Sequence, residues 1–373
     1  MTKTVVVGMS GGVDSSVTAL LLKQQGYHVI GIFMKNWEEF DENGVCNSAK
    51  EYEDVVRVCE QLEIPYYSVN FVKEYRDNVF AHFLKEFKDG HTPNPDILCN
   101  REIKFKVFLE KAMELGADYL ATGHYCQTRI SDGKVQLCKG VDAHKDQSYF
   151  LYAVTEKALQ KVLFPVGSLP KSEVRRIAKE HNLATFEKKD STGVCFIGER
   201  NFKEFLNQYI ETHPGNFEML NGKVVGRHDG VACYTIGQRR GMGIGGAGDA
   251  WFVVGKDIPR NVVYVEQGGA HPALYCDELT ATELAWISPE GAPDLPLLCT
   301  SKIRYRQPDQ HCVIRKIENG RCWVEFMVPQ RAVTPRQSIV FYAGDVCLGG
   351  GIIEAAGKSY DERGVELPGV VGT

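Results

Sequence analysis

Val5-Val6-Val7-Gly8-Met9-Ser10-Gly11-Gly12-Val13-Asp14-Ser15-Ser16 is the stretch on which the fold reading turns. Its β-branched run predicts a strand, the Gly/Ser cluster a tight turn, and the residues from Ser15 to Gln24 a helix. Glycines let backbone N–H groups close around an anion, hydroxyls add donors, and a helix N-terminus adds partial positive charge. Strand, phosphate loop and helix are therefore read as one unit. A plain βα turn with a serine cap would draw on the same residue types. The stretch is not a Walker loop, because the Lys-Ser/Thr ending is missing.

Further along, strand-like segments His28–Met34, Tyr66–Asn70 and Tyr119–Thr122 alternate with helical spacing over Ala49–Leu62, Val72–Lys88 and Ile103–Leu115. Such alternation predicts an α/β domain with a doubly wound parallel sheet. The pattern changes near residue 200. A helix over Asn201–Ile210 gives way to Gly-rich, strand-like text through Gly268. After Pro272 the segments Leu297–Tyr305, His311–Ile317, Cys322–Phe326 and Ser338–Tyr342 predict a small antiparallel β-barrel. The 373 residues exceed one ordinary core, and the expected division is 1–200, 201–272, 273–356 and a loose tail over 357–373.

Composition narrows the class. No apolar run is long enough to span a bilayer, and the start lacks the features of a signal peptide, so a cytoplasmic enzyme with no membrane association is expected. Net charge is -5, yet phosphate binding needs only a local basic surface. Candidates are Arg101, Lys104 and Lys106; Lys171, Arg175, Arg176 and Lys179; Arg239 and Arg240; and Lys302, Arg304 and Arg306. The twelve cysteines form no C-x-x-C pair, which argues against zinc knuckles and thioredoxin-like sites; most read as buried, inert thiols, and no resident metal site is expected. Gly241-x-Gly243-x-x-Gly246 matches a dinucleotide fingerprint, but strand-like Trp251–Val254 follows where a helix is required. Gly357-Lys358-Ser359 imitates a Walker ending without its first glycine.

Two cysteines stand apart. Asn94-Pro95-Asp96-Ile97-Leu98-Cys99-Asn100 reads as an extended loop that places Cys99 near a helix start, with Arg101 and Lys104 close by, a setting that favours a thiolate. Asp96, three residues earlier, has the chemistry to exchange protons with a reacting base. Cys195 sits in the small-residue segment Ser191–Gly198 after Lys188-Lys189. Two such thiols suggest thiol–disulfide exchange; a buried loop cysteine beside a turn aspartate is the plain alternative for Cys99.

Ser10-Gly11-Gly12-Val13-Asp14-Ser15 resembles the pyrophosphate loop of the N-type ATP pyrophosphatases, whose shared chemistry is adenylation of an oxygen with release of pyrophosphate. The resemblance narrows when the motifs are taken in order: NPDILCN, ATGHY at Ala121–Tyr125, KDQSYFL at Lys145–Leu151, DSTGVCFIG at Asp190–Gly198, GQRRGMGIGG at Gly237–Gly246, Arg304–Arg306 and CLGGGII at Cys347–Ile353. Over essentially the whole chain the set is similar to the bacterial tRNA 2-thiouridylases.

That resemblance implies ATP, with Mg2+, held by Gly8, Met9, Ser10, Gly11, Gly12, Val13, Asp14 and Ser15, with Met34 and Gly123 lining the site. It implies a target uridine near Asn94, Pro95 and Asp96, and tRNA contacts at His124, Lys145, Asp146, Gln147, Arg304, Tyr305 and Gln337. It further implies a persulfide on Cys195, supplied by a sulfur-relay protein or cysteine desulfurase. Attack by Cys99 frees the sulfur and leaves a Cys99–Cys195 disulfide, and Asp96 serves as general acid/base. The expected reaction is 2-thiolation of the wobble uridine in tRNAs for lysine, glutamate and glutamine. Rival readings are a ligase of the same superfamily that amidates a small acceptor, a tRNA-binding protein whose loop only senses nucleotide, and a thiolase dependent on an iron–sulfur cluster.

Overall fold

The computed structural model describes residues 2–38, 47–189 and 202–372. Strand β1 (Thr4–Met9) leads to helix α1 (Val13–Gln24), β2 (His28–Lys35), α2 (Asn47–Gln61) and β3 (Tyr66–Asn70). Two helical runs, 72–88 and 95–114, each contain wider i→i+5 turns, at Arg76–Phe80 and Cys99–Phe108. Then come β4 (Tyr119–Ala121), the hairpin β5 (Cys126–Ser131) and β6 (Lys134–Lys139), and the short β7 (Val162–Leu163).

The first sheet is parallel throughout, in the order β3-β2-β1-β4-β7. Successive β1 residues face opposite layers, as strand geometry requires. Val6 packs with Ile32, Leu120 and the aromatic face of the two helical runs, while Val5 and Val7 pack with Val29, Phe33 and α1. All three valines are fully buried because helices cover both faces. This is the doubly wound sheet that the β-branched run and its βα alternation predict.

One local expectation is corrected. The Asn94–Asn100 segment is not an extended loop, because the second helical run begins at Pro95. Proline at the first helical position sacrifices no hydrogen bond, and the Asn94 side chain accepts the Asp96 N–H at 3.2 Å as the cap. Cys99 therefore lies one turn inside the helix, past the strongest field of its terminus.

The middle unit is a four-stranded sheet of Gly215–Glu218, Val224–His228, Trp251–Asp257 and Val262–Gln267 around Phe217, Tyr234, Val253 and Val263. The Gly241–Gly246 stretch runs into strand Trp251–Asp257, so it builds no dinucleotide site. The C-terminal unit is a closed six-stranded antiparallel barrel. Tyr275–Trp286 pairs with both Arg321–Arg331 and Val346–Ala356, and so joins the two ends of the sheet. The tail is not loose as expected. Ser359 caps a short helix, Tyr360–Arg363, in a capping box, and Arg363 and Tyr360 both bind Asp277.

Hairpin β5–β6 belongs to the first unit in sequence but extends the barrel sheet, pairing Cys138 with Val346 and Leu137 with Cys347. Asp146 locks this junction from inside. Its carboxylate accepts from Gly140 N and Ser148 N at 3.1 Å and from the Ser148 hydroxyl at 3.0 Å, and it faces Lys302 Nζ at 3.4 Å. Both charged groups are buried. The expectation that Asp146 touches RNA does not fit this inward side chain; it holds the 140–148 loop instead. Asp146→Ala leaves a buried lysine short of its nearest counter-charge and two N–H groups without an acceptor, and should cost about 3–5 kcal/mol in a urea unfolding titration. A loss below about 1 kcal/mol would contradict the assigned role.

Candidate active site at the switch point of the sheet

Strands β1 and β4 are neighbours whose connections leave on opposite faces, and open α/β sheets bind ligands in the crevice beyond such a pair. The loop after β1 is shaped for an anion. Gly11 adopts φ +69°, and a Cβ there would stand 2.6 Å from the Glu51 carbonyl oxygen. Gly12 caps α1 with no side chain to occupy its first-turn N–H groups. The Ser15 hydroxyl folds back on Gly12 O at 3.1 Å and accepts from Ser10 N at 3.2 Å, leaving Ser10 exposed at the mouth. Gly123 closes the other wall: a Cβ there would sit 2.9 Å from Asp14 C and Ser15 N. Met34, half-buried, lies one residue from the end of the neighbouring strand in register with Val69.

Asp14, an expected nucleotide-loop residue, proves to be the anchor of that loop. Lys171 Nζ donates to its two carboxylate oxygens at 2.7 and 2.9 Å, and the Tyr125 hydroxyl donates at 2.7 Å. Lys171 is buried at the start of the helix Lys171–Glu180. In the sequence it is one of four basic residues with nothing to separate it from a solvated face.

The helical run 95–114 passes beneath this crevice. Phe108 lies under Gly8, 3.1 Å from where a Cβ would be, and the Phe105 ring contacts the His124 ring at 5.6 Å. The wide turns of Cys99–Phe108 bring positions five apart close together on one face, so Lys104 follows Cys99 along the helix toward the strand ends. Burial pushes the Asp96 carboxyl above the usual range, and the Lys104 charge pulls it partly back. Burial, reinforced by Lys104, holds His124 well below the usual histidine range, so its ring is neutral and shares a 2.8 Å hydrogen bond with Thr122 Oγ1. Lys104 thus acts on both groups. In sequence it stands as part of a basic patch and as a neighbour of Cys99.

Cys99 is buried in the aromatic core, and the adjacent Asn100 ties the helix to Phe150 O at 3.1 Å. Cys195 and the whole Asp190–Gly198 motif lie outside the described residues. Of the ten described cysteines, nine are buried. Burial pushes the Cys59 and Cys322 thiols up to about 12, which keeps them protonated and inert.

The expected RNA contacts gather along the junction of sheet domain and barrel. Gln147 is fixed to Tyr125, accepting its N–H at 2.9 Å; Tyr305 stacks on Phe150 at 4.4 Å and donates to Lys145 O at 3.3 Å. Arg304 donates through Nη2 to Arg331 O, while its Nε is buried with no hydrogen-bond partner. Burial first, then the Arg331 charge, disfavour its guanidinium charge. Gln337 reaches across to the Thr92 carbonyl, two residues before Asn94. Among the described residues no group of three or more His, Cys, Asp or Glu is placed to hold a metal, and no helix is long and apolar enough to cross a membrane.

Fold and loop define a nucleotide-binding α/β enzyme carrying a barrel appendage. Family models agree along the chain: a tRNA methyl transferase HUP domain over residues 3–199, a tRNA methyl transferase PRC-barrel domain over 203–267 and an aminomethyltransferase beta-barrel domain over 276–353. The tRNA-specific 2-thiouridylase MnmA of Protochlamydia amoebophila (strain UWE25) is 65% identical over 98% of this chain and 97% of its own length. Those of Geobacillus thermodenitrificans (strain NG80-2) and Bacillus subtilis (strain 168) are each 59% identical over 94% of both chains. The chain belongs to the tRNA-specific 2-thiouridylase family and is a tRNA sulfurtransferase.

Two expectations test the site. Gly123→Ala pushes a methyl against the Asp14–Ser15 backbone and should raise the KM for ATP about tenfold or more, with the melting temperature lowered by only a few degrees. An unchanged KM would remove Gly123 from the nucleotide wall. For Asp96 the sign follows from its raised pKa: the folded state binds the proton more tightly than the unfolded chain, so ionisation costs stability above the ordinary aspartate pKa and the cost vanishes as pH falls. Asp96→Asn should therefore be at least as stable as the parent at pH 8 while losing about 10²–10⁴ in rate. A clear loss of stability at pH 8 would contradict the buried-acid reading.

Proposed function

We propose that the protein adenylates the carbon-2 oxygen of a tRNA wobble uridine and replaces it with sulfur taken from a cysteine persulfide. The observation that carries this reading is the phosphate loop, walled by Gly123 and underlain by the helix bearing Asp96 and Cys99.

The steps follow from that arrangement. N–H groups of the Gly11–Ser15 turn and the end of α1 hold the ATP phosphates. The uridine oxygen attacks the α-phosphorus, the bond to the β-phosphate oxygen breaks, and pyrophosphate leaves. Asp96, whose carboxyl burial raises above the usual range, is the group on this helix with the chemistry to exchange a proton with the base as its electrons shift. A persulfide sulfur on Cys195 then forms the bond to carbon 2 and AMP departs with the original oxygen. Cys99, as the thiolate after losing its proton, attacks the Cys195 sulfur. The bond from Cys195 to the transferred sulfur breaks, and its electron pair stays with the sulfur now on carbon 2. The Cys99–Cys195 disulfide left behind must be reopened by a cellular reductant before the next turnover. Sulfur arrives on Cys195 from a sulfur-relay protein or a cysteine desulfurase.

Magnesium fits as a companion of the nucleotide. Asp14 is the carboxylate of the loop, partly exposed, and a magnesium ion bound through phosphate oxygens and water needs only one or two carboxylates. It would offset phosphate charge; Lys171 and Tyr125 already keep Asp14 at the loop. On the RNA side, a backbone phosphate is the natural partner for the cationic side chains Arg304 and Arg306 at the barrel edge. The small-acceptor ligase has no use for a thiol below the loop or for a barrel.

The test is thiolation of transcripts for lysine, glutamate and glutamine tRNAs with magnesium-ATP and a persulfide donor, read as mercury-retarded RNA. The wild type should need ATP and the wobble uridine. Cys99→Ser and Cys195→Ser should each abolish thiolation, while Cys195→Ser retains tRNA-dependent pyrophosphate release. Wild-type thiolation by Cys195→Ser would contradict the assignment of the sulfur carrier.

A further inference from the structure

The segment Gly90–Asn94, which feeds the helix carrying Asp96 and Cys99, is gripped from two sides. On one side the central unit holds it: Lys256 Nζ donates to Gly90 O at 3.0 Å, Thr235 and Thr92 share a hydroxyl hydrogen bond at 3.1 Å, and Ile258 fills the space over Gly90. On the other side stands the barrel. Gln337 binds the Thr92 carbonyl, and the neighbouring Arg336 reaches Glu86 near the end of helix Ala81–Lys88, with Nε 2.6 Å from Oε2 and Nη2 on Oε1. Glu86 also faces His91 at 3.2 Å and His82 at 4.0 Å, and Glu283 lies 3.4 Å from Arg336.

Three features mark this pair as more than a surface contact. It joins residues 250 positions apart across two units, with the Glu86 side chain only 9% exposed. The geometry is two-pronged, the form in which arginine fixes direction as well as distance. Arg336 also holds φ +70°, a left-handed backbone where glycine is the easy residue. Burial would raise the Glu86 carboxyl, but hydrogen bonds and charge from Arg336 outweigh it and hold the acid below its ordinary range, so the pair remains ionised.

We propose that Arg336 is a positioning residue: through Glu86 it sets segment Gly90–Asn94, and with it Asp96 and Cys99, in register with RNA held by the barrel at Arg304, Tyr305 and Gln337. The inference rests on the thiolation reading above. RNA seated on the barrel and the proton-transferring and sulfur-releasing groups on the helix then share one rigid frame, and neither needs to find the other on each turnover.

Two variants test it. Arg336→Gly removes the guanidinium at a backbone position that glycine favours. Glu86→Gln combined with Arg336→Gly also removes the buried charge left behind. Both should bind tRNA within about threefold of the parent and lose about 10-fold to 100-fold in kcat for thiolation, with the double variant no faster than the single. Recovery of kcat in the double variant would show that only an orphaned charge had been at fault and would overturn the proposal. So would loss of tRNA affinity with kcat unchanged, which makes Arg336 an RNA contact. A parent enzyme that thiolates no tRNA overturns the functional reading itself, an outcome distinct from normal turnover by the variants.

Discussion

At the crevice between β1 and β4, the backbone after β4 touches the backbone of the phosphate loop at Gly123, with no side chain between them. The rest of the site is arranged around this contact. Asp14, one residue from it, is pinned by Lys171 and Tyr125, which ties the loop to a helix more than 150 positions away and to the segment just after β4. Phe108 and Phe105 press the helical run 95–114 against Gly8 and His124 from below. A side chain at residue 123 would shift the anion-binding turn, and with it the distance between nucleotide and Asp96.

Charge in this crevice is controlled by burial together with a few placed cations. Asp96 and His124 are both pushed toward their neutral forms, and Lys104 opposes the shift in the acid while deepening it in the imidazole. A neutral ring and a carboxyl whose ionisation is disfavoured by burial suit a flat, uncharged base. Lys171 neutralises the Asp14 carboxylate, and the loop's N–H groups are left to face the incoming phosphates.

Much of the fold is legible from residues 5–16 because strand, turn and helix there are local and each is specified by its own residue types. The alternation that follows carries the parallel sheet, and four of the barrel's six strands fall near their expected positions, while Tyr275–Trp286 and Val346–Ala356, whose pairing closes it, are not read as strands. Other features are long-range and leave no local mark. Lys171 is one lysine among many until the fold brings it to Asp14. Hairpin β5–β6 joins the barrel sheet through pairings more than 200 positions apart. Asp146 looks like a polar contact residue in a charged stretch, and only its burial against Lys302 reveals an internal lock. Pro95 is the misleading local signal: it suggests an extended loop, yet it starts a helix because Asn94 supplies the cap. Tail residue Ser359 carries its capping-box partner Glu362 in plain view, and the Gly-rich, charged surroundings hide it.

The central claim is that the uridine oxygen itself attacks ATP in this crevice. A transcript carrying oxygen-18 at carbon 2 of the wobble uridine tests it directly, with the AMP product weighed by mass spectrometry after one turnover. The account predicts one labelled oxygen in AMP for each thiouridine formed. Thiouridine accompanied by unlabelled AMP would show that the base oxygen leaves by another route, and the adenylation chemistry assigned to the loop would have to be abandoned.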